Sequence, residues 1–423
     1  MTDNYVYKRR VGLTCSSFFG SRNLKHVRIV AIMVKVYKRG GIFLIYFDNS
    51  ATTSIHRLAL DAYVKTSQTI MGNPSSLHRL GTQANRLLQE ARKQIAGLLD
   101  VHTDEIVFTS GGTEGNNYII KGTAYEKQHF GKHIILSAIE HPSVSETCQQ
   151  LSAQGFEISV APVDSQGFVK IDELKKLIRK DTILVSVMAV NNEVGSIQPI
   201  QAISEVLTAF PKIHFHVDSV QAIGQIPLSE FLTERVDFAT FSAHKFHGPR
   251  GVGFIYKKQG RKIMPLLAGG GQEQNQRSST ENLPAIVAMA KALRLKLDQQ
   301  TQKMAKVAQL KESLQAALVQ YPEVVVFSGK DQFAPHILCF ALKGIRGEVL
   351  VHALEEKEIF ISTTSACSSR KKMSSSTLHA MNVEDKIAKC AVRISLDESN
   401  TMAEVEQFLI VFRQLYQKFT KVM

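Results

Sequence analysis

The chain has 423 residues, which is enough for two or three domains or for one large enzyme unit with a smaller lobe. Apolar residues make up 44% and charged residues 21% of the chain. This composition excludes a disordered chain, which would be rich in charge and poor in apolar side chains. No apolar run approaches the roughly 18 residues that span a bilayer, so no membrane-spanning segment is predicted.

The positive charge is concentrated at the N-terminus. Residues 1–45 contain nine Lys or Arg and one acid, Asp3, while the formal charge of the whole chain is +13. The rest is mildly basic and carries no zinc-finger, RNA-binding or helix-turn-helix signature, so neither direct nucleic-acid binding nor a metal site is predicted. A basic extension of this kind is typical of a mitochondrial transit peptide, or of an upstream start codon with Met33 as the true first residue. The first alternative predicts the mitochondrial matrix, and the second predicts the cytoplasm.

From Tyr46 onward, short apolar runs alternate with longer helical stretches. The predicted strands cover residues 105–109, 132–137, 182–190, 213–217, 237–241 and 251–256. Runs that are apolar on both faces belong to a sheet that helices cover on each side. We therefore predict an α/β fold with a mostly parallel central sheet.

The pattern changes after this region. Residues 283–320 are rich in Ala, Leu, Lys and Gln and predict a long helix or a helix pair. Strands are predicted at 323–327, 337–342 and 392–396, followed by an amphipathic helix at 403–416. The predicted organisation is a basic extension (1–45), a large domain (46–290) whose first residues pack on the small lobe, and a small C-terminal domain (291–423).

Residues suited to anion binding follow the first of these strands. The strand at 105–109 runs into Gly111, Gly112 and Thr113, and a helical stretch comes next. Small residues at such a turn let backbone N–H groups approach an anion at the positive end of a helix. The alternative is a tight strand-to-helix turn without a ligand.

Two further strand ends favour the anion site. The strand at 213–217 ends in Asp218, and the strand at 237–241 is followed by Ser242, His244 and Lys245. Alone, Asp218 would be a helix cap and Lys245 a solvated surface charge. Together with a phosphate site they match the needs of pyridoxal 5'-phosphate (PLP), which takes a lysine for its Schiff base and an acid at its pyridine nitrogen.

Nine ordered segments extend this pattern to most of the chain. They are FDNSATT (47–53), GNPSSLHRLG (72–81), FTSGGTEGNN (108–117), EHPSV (140–144), VNNEVGSIQPI (190–200), HVDSVQ (216–221), FSAHKFHGP (241–249), GGGQEQNQRSST (269–280) and SACSS (365–369). In order and spacing they resemble the NifS/IscS-type cysteine desulfurases among the class V aminotransferases. The resemblance runs from residue 46 to about residue 418 and implies a fold-type I PLP-dependent transferase.

The resemblance also implies a role for each candidate residue. Lys245 would hold the cofactor and remove the substrate α-proton, and His141 would stack on the ring and exchange protons with sulfur species. The other implied cofactor contacts are Asp218 at the pyridine nitrogen, Gln221 at the ring hydroxyl, Gly112, Thr113, Ser242 and His244 at the phosphate, and Thr280 from the second subunit of a homodimer. Asn192 and Arg393 would hold the substrate carboxylate, a task that suits a planar guanidinium.

A cysteine distinguishes the desulfurases from the transaminases. Cys367 stands in a polar run beside Arg370 and two lysines that favour its thiolate, whereas Cys148, Cys339 and Cys390 are predicted to be inert core residues. The five cysteines are odd in number, stand far apart and form no CxxC pair, in a chain too long to need a disulfide framework, and this pattern indicates a reducing compartment. The implied reaction converts L-cysteine to L-alanine and leaves the sulfur on Cys367 as a persulfide.

Other functions share parts of this pattern. A selenocysteine lyase or a class V aminotransferase would have the same cofactor site, and a non-catalytic scaffold would have the same fold. The implied sulfur acceptor is an iron–sulfur scaffold protein or a tRNA-thiolation enzyme. The sequence departs from the family where Ser279 and Asp397 replace glycines, and these residues are expected to adjust loops. The stretch KMSSSTL after Cys367 also lacks the usual proline, so the cysteine loop is expected to have its own geometry.

Overall fold

The computed structural model describes residues 44–364 and 375–421, and a seven-stranded sheet forms its centre. The strands up to residue 257 are β1 (Ile45–Tyr46), β2 (Ile106–Thr109), β3 (His133–Ser137), β4 (Glu157–Ala161), β5 (Thr182–Met188), β6 (His214–Asp218), β7 (Phe238–Ser242) and β8 (Gly253–Lys257). The sheet has the order β2-β8-β7-β6-β5-β3-β4. Strand β8 is antiparallel to both of its neighbours, and the other neighbouring pairs are parallel. The predicted α/β fold with a mostly parallel sheet is confirmed.

The apolar runs identify the buried strands. Strands β2, β3, β5, β6 and β7 are buried at every residue, as expected for a sheet covered on both faces. Strand β4 was not predicted, since it lies at the edge of the sheet and most of its side chains are partly or fully exposed. An edge strand of this kind lacks the continuous apolar run that marks the others.

Helices cover both faces of this sheet and connect its strands. They are α1 (Arg57–Thr69), α2 (Arg79–Leu99), α3 (Gly112–Lys127), α4 (Pro142–Ser152), α5 (Ile171–Leu177) and α6 (Ile200–Thr208). Short 3-10 turns occur at Thr103–Glu105, Leu228–Glu230 and Ala243–Lys245, and a turn with left-handed backbone occurs at Gln272–Asn275. Helix α4 begins at Pro142, whose fixed φ suits the first helical position.

The predicted helical region at 283–320 consists of two helices, α7 (Leu283–Leu297) and α8 (Gln300–Leu318). The break falls at Gln299, whose φ of 53° is left-handed and ends the regular backbone. Helix α7 continues through the predicted domain boundary at residue 290. From Ile45 onward the described residues form one compact unit, and the two-domain division stays a prediction.

A second, four-stranded antiparallel sheet follows. Its region contains β9 (Val324–Val326), β10 (Ile337–Leu342), β11 (Ile359–Phe360), β12 (Ser362–Thr363) and β13 (Ala391–Ser395), with the sheet order β12-β13-β10-β9. The helices there are α9 (Gly347–Glu355), α10 (Ser376–Ala380), α11 (Asp385–Ala388) and α12 (Met402–Thr420). Phe340, Phe408 and Phe412 belong to the core between this sheet and α12. Strand β1 pairs in parallel with β11, so the first residues of the fold join this side of the molecule.

The predicted extension over residues 1–45 lies almost wholly outside the described residues. Among the described helices, none combines the length and apolar character needed to cross a bilayer.

Candidate active site

The predicted site residues come together at one edge of the central sheet. Those that end a strand or follow it are Gly112, Thr113, His141, Asn192, Asp218 and Lys245. Strands that run in the same direction end at the same edge, where α/β proteins bind their ligands. This convergence follows from the topology of the sheet, although the residues are spread over more than 130 positions.

A cradle for an anion lies at the start of α3. Gly112, Thr113, Ser242 and His244 line one cavity of about 390 Å³. Helix α3 has 16 residues, and the N–H groups of its first turn have no partners within the helix. The four residues predicted for the phosphate are therefore brought together around a site with the donors that an anion needs.

Two glycines allow this turn to pack closely. Gly111 has a φ of 151°, a backbone conformation that favours glycine. A Cβ atom on Gly112 would lie 2.8 Å from Cγ2 of Val220, closer than real Cβ contacts. A larger residue at 112 would therefore push the start of α3 away from the loop that follows Asp218.

A fixed positive charge completes the cradle. The Nδ1 atom of His244 lies 3.2 Å from Oγ1 of Thr52, and Nε of Arg250 donates to the same hydroxyl at 3.3 Å. Burial, together with the charges of Lys245 and Arg250, lowers the pKa of His244 to about 4, so its ring is neutral at pH 7. Arg250 lines the cavity as well but was not predicted. Its signal in the sequence is its position five residues after Lys245.

The Lys245 amine is held by the FDNSATT segment. Lys245 lies in the 3-10 turn that follows β7. Its Nζ donates to the backbone carbonyls of Ser50 at 2.5 Å and Ala51 at 2.9 Å. Thr53 fastens the segment to this turn, because its N–H and its hydroxyl both donate to the carbonyl of His244, at 2.9 and 3.0 Å. Residues near position 50 and near position 245 thus form one structural unit.

A chain of hydrogen bonds connects Asp218 to His141. Asp218 is 4% exposed, and its Oδ2 accepts from Nδ2 of Asn116 at 2.7 Å. The same amide donates to Oγ of Ser143 at 2.8 Å, and that hydroxyl lies 2.8 Å from Nδ1 of His141. Asn116 was not predicted as a site residue. Its position one turn into α3 was the available signal, since it lies three residues after Thr113.

The protonation state of His141 follows from these contacts. The N–H of Ser143 donates to Nδ1 of His141 at 3.1 Å, so Nδ1 is an acceptor and the neutral ring carries its proton on Nε2. Burial lowers the pKa of His141, and the charges of Asp218 and Lys245 act on it in opposite directions. Asp218, Lys245 and His141 therefore lie close enough to interact electrostatically.

Arg393 is buried, and two hydrogen bonds fix the orientation of its guanidinium. Its Nη1 donates to the carbonyl of Asn192 at 2.7 Å, and its Nη2 donates to Oδ1 of Asp48 at 2.9 Å. Its Nε is buried and has no hydrogen-bond partner within residues 44–364 and 375–421. Burial raises the pKa of Asp48, while Arg393 and Lys245 oppose that rise. Asp48 was quoted in the FDNSATT segment but received no predicted role.

Asn192 and Gln221 lie beside these groups. Asn192 contributes its backbone carbonyl to Arg393, and its side chain is partly buried. Gln221 is 7% exposed, and its Nε2 donates to the carbonyl of Ser50 at 3.0 Å. Gln221 and Lys245 line one small cavity. Gln221 therefore lies beside the lysine, while its predicted contact with a ring hydroxyl stays a prediction.

Thr280 is exposed and lies in the loop after the left-handed turn. Its contact with a second subunit stays a prediction. The preceding Ser279 has a φ of 109°, a region that favours glycine, and its N–H donates to Oε1 of Gln272 at 3.0 Å. Asp397 is 2% exposed and accepts from the N–H of Ser399 at 2.7 Å within its own turn. Both departures thus act on local loop geometry.

Cys367 lies outside the described residues. The described cysteines Cys148, Cys339 and Cys390 are all buried, as predicted. Burial raises the pKa of Cys148 to about 12 and also raises the pKa values of the other two thiols. At neutral pH these three are protonated and poorly nucleophilic.

One group of potential metal ligands was not predicted. Nε2 of His247 lies 3.3 Å from Oδ2 of Asp397 and 3.9 Å from Oε2 of Glu398. The ammonium group of Lys296 forms an ion pair with Glu398. A cation, the Lys296 ammonium group, is therefore already present at Glu398.

The residues at the sheet edge fit PLP. The first turn of α3 and Arg250 suit its phosphate, and the Lys245 amine suits its aldehyde carbon. The buried carboxylate of Asp218 suits a protonated pyridine nitrogen, because burial strengthens the attraction between the two charges.

Comparison with known proteins agrees with this geometry. A model of the family described as Aminotransferase class-V matches residues 45–408. A protein of Lactobacillus delbrueckii subsp. bulgaricus, described as a NifS/IcsS protein homolog, is 55% identical over 380 residues, which cover 90% of this chain and 99% of that protein. Cysteine desulfurase IscS of Methanosarcina thermophila is 40% identical over 374 residues, 88% of this chain and 92% of its own length.

Solved structures are similar over the same region. A structure described as a NifS-like protein has a TM-score of 0.83 at 38% identity and covers 90% of this chain and 100% of that one. A structure described as SspA in complex with cysteine has a TM-score of 0.74 at 28% identity and covers 84% of this chain and 99% of that one. The fold is thus similar to those of these two proteins along nearly their whole length.

Proposed function

We propose that this chain, which belongs to the class-V aminotransferase family and is a PLP-dependent cysteine desulfurase, transfers the sulfur of L-cysteine to Cys367. The observation that carries the proposal is the buried guanidinium of Arg393. It lies in the same site as Lys245, and its Nε has no hydrogen-bond partner among the residues that the structure describes. A buried, unpartnered donor of this kind suits the carboxylate of an amino acid.

The residues that would hold PLP are those of the anion cradle, with Lys245, Asp218, Gln221 and His141 around the ring. When bound, PLP serves as an electron sink that stabilises negative charge on the substrate α-carbon. Lys245 would take the α-proton, and the carbonyls of Ser50 and Ala51 would hold its amine in place for that transfer. The carboxylate of Asp218, fixed by the Asn116 amide, would lie beside the pyridine nitrogen of the ring.

Arg393 would bind the substrate carboxylate and thereby orient the thiol. Asp48 and the Asn192 carbonyl hold two edges of the guanidinium, so its free edge has a fixed direction. Fixed orientation of this kind makes a reaction between bound groups effectively intramolecular. The structure described as SspA in complex with cysteine supports the choice of substrate.

Sulfur transfer from L-cysteine to Cys367 needs no external oxidant or reductant. The thiolate of Cys367 attacks the substrate sulfur, an S–S bond forms, and the C–S bond breaks. The substrate carbon keeps the electron pair and takes a proton, which gives L-alanine and a persulfide on Cys367. His141, neutral and protonated on Nε2, is placed to donate or accept a proton in these steps.

The proposed assembly is a homodimer. Several large apolar side chains of the segment that includes α1 and precedes α2 are exposed: Ile55, Leu58, Leu60, Val64, Met71 and Leu77. A concentration of exposed apolar residues is typical of a protein–protein interface. Thr280 is exposed as well, which supports its predicted contact with the phosphate of a second subunit.

The proposed sulfur acceptor is an iron–sulfur scaffold protein or a tRNA-thiolation enzyme, and the proposed location is the cytoplasm. A persulfide is a reactive species that an acceptor thiol can attack directly. The lack of a CxxC pair, which indicates a reducing compartment, supports the proposed location.

The test of this function uses mass spectrometry of the full-length holoenzyme after incubation with L-cysteine. We expect one additional sulfur atom on Cys367, removed by a thiol reductant, and L-alanine formed in equal amount. Cys367→Ser should nearly stop sulfide release, and Cys390→Ser serves as a control because Cys390 is buried with a raised pKa. An unmodified Cys367, or wild-type sulfide release by Cys367→Ser, would contradict the proposal and favour lyase or aminotransferase chemistry.

A further inference from the structure

Glu193 connects the turn beside Arg393 to the start of α10, which follows the segment that contains Cys367. Its Oε1 accepts from Oγ1 of Thr377 at 3.1 Å, and its Oε2 accepts from Oγ of Ser375. Ser375 is the N-cap of α10 and Thr377 is its second residue, and this helix start follows directly after the segment 365–374 that contains Cys367. The Glu193 carboxylate thus binds the residues directly downstream of the segment that contains Cys367.

The two hydroxyl groups are fully used in this network. Oγ of Ser375 donates to Glu193 and accepts the N–H of Leu378 at 3.0 Å, which caps α10. Oγ1 of Thr377 donates to Glu193 and accepts from Nδ2 of Asn191 at 3.3 Å. Each hydroxyl proton therefore points to a carboxylate oxygen, an arrangement that an acceptor-only group suits best.

The same turn of chain reaches the substrate site. Glu193 follows Asn192, whose carbonyl accepts from Nη1 of Arg393 at 2.7 Å. The N–H of Glu193 donates to Oδ1 of Asn191 at 2.9 Å, so the side chain of Asn191 fixes the backbone between them. Three consecutive residues therefore hold Arg393 on one side and the start of α10 on the other.

The upstream end of the cysteine segment is fastened to the same arginine. Ser362 on β12 pairs with Arg393 on β13, and Thr364 is the last described residue before the segment. The strand before the segment thus pairs with Arg393, and the helix after it binds Glu193, the residue next to the Asn192 carbonyl that accepts from Arg393. The geometry points to Glu193 as a positioning residue for sulfur transfer, an inference that rests on the proposed role of Cys367.

The carboxylate is suited to this position although burial disfavours its charge. Burial raises the pKa of Glu193, and the hydroxyls of Ser375 and Thr377 and the charge of Arg393 act against that rise. Removal of the carboxylate would leave both hydroxyls without their acceptor. The start of α10, downstream of the cysteine segment, would then lose its link to the turn beside Arg393, while Arg393 itself would keep Asp48 and the Asn192 carbonyl.

The experiment separates substrate binding from sulfur transfer in the full-length holoenzyme. Two quantities are measured for each variant: the apparent Kd of L-cysteine from the cofactor absorbance, and the single-turnover rate of persulfide formation on Cys367. We expect Glu193→Ala to slow persulfide formation by roughly tenfold or more, the loss typical of a hydrogen bond to a charged group. The apparent Kd should change less than about threefold. Glu193→Gln keeps one acceptor oxygen, so its rate of persulfide formation should lie between the rates of the wild type and of Glu193→Ala. The control variant is Glu205→Ala, at an exposed position.

A double-mutant cycle tests the contact itself. Ser375→Ala should slow the transfer as well, and the double variant should lose less than the product of the two single losses, because the two changes share one hydrogen bond. Additive losses, an unchanged rate in Glu193→Ala, or equal losses in binding and transfer would each refute the inference while leaving the proposed function intact. A wild-type enzyme without a persulfide on Cys367 would refute the proposed function and this inference with it.

Discussion

Replacement of Arg393 by lysine tests the carboxylate site while keeping its charge. The Nη1 and Nη2 atoms of Arg393 donate hydrogen bonds to the Asn192 carbonyl and to Asp48, and Nε has no partner among the described residues. The side chain is 5% exposed. A lysine has a single ammonium group on a flexible stem instead of a planar guanidinium. It therefore cannot donate to Asp48, the Asn192 carbonyl and a substrate carboxylate in the same geometry. The variant should therefore lose at least one charged hydrogen bond to L-cysteine.

The size of the effect follows from that bond. A hydrogen bond to a charged group contributes about 1.5–3 kcal/mol, which corresponds to a weakening of L-cysteine binding by roughly 10- to 150-fold. Cysteamine has the same amine and thiol but no carboxylate, so its apparent Kd should change less than about threefold. Arg393→Lys should therefore lose most of the preference for L-cysteine over cysteamine, measured from the cofactor absorbance of the holoenzyme.

The matched control is Arg346→Lys, since Arg346 is 66% exposed and lies at the start of α9. This variant should keep the wild-type preference. If Arg393→Lys also kept the preference while folding normally, Arg393 would not bind the carboxylate, and the substrate would have to be held elsewhere.

Two further predictions concern the cofactor lysine and a buried acid. Lys245→Ala should lose the absorbance near ~410–420 nm that is typical of lysine-bound PLP, whereas the exposed Lys262→Ala should keep it; a persistent covalent signal in Lys245→Ala would assign another lysine. Burial raises the pKa of Glu140 from 4.5 to about 8, so this group stabilises the fold fully below about pH 4.5, and its contribution is lost as the pH rises through about 8. Glu140→Gln, which resembles the protonated form, should reduce the decline in melting temperature between pH 5 and pH 8 by an amount equivalent to a few kcal/mol, at about 1.4 kcal/mol per pKa unit; equal declines in both proteins would refute this assignment.

The sequence predicted the strands and the residues at their ends because both depend on local patterns. The run at 337–342 coincides with β10, and the run at 105–109 differs from β2 by one residue. Once strands are known to be parallel, the residues that follow them must lie at one edge. For this reason the placement of Lys245 and Asp218 in one site was predictable without a structure.

The contacts that orient these residues were not predictable in the same way. Asn116 and Asp218 are 102 positions apart, and their hydrogen bond depends on how α3 packs against the sheet. A buried asparagine in a helix carries no local signal of its partner. Glu193 and Ser375, 182 positions apart, meet only because α10 packs against the turn after β5.

The pairing of Asp48 with Arg393 shows how topology creates a site that spacing cannot reveal. The two residues are 345 positions apart. Strand β1 pairs with β11, and the next residues continue along β13, where the N–H of Ser395 donates to the carbonyl of Phe47 at 2.7 Å. Asp48 bridges to Ser395 on β13, and this pairing fixes Asp48 beside Arg393, which lies on β13 as well. The segment then turns to the central sheet, where the Ser50 carbonyl accepts from Lys245, so one short stretch of chain orients both Arg393 and Lys245.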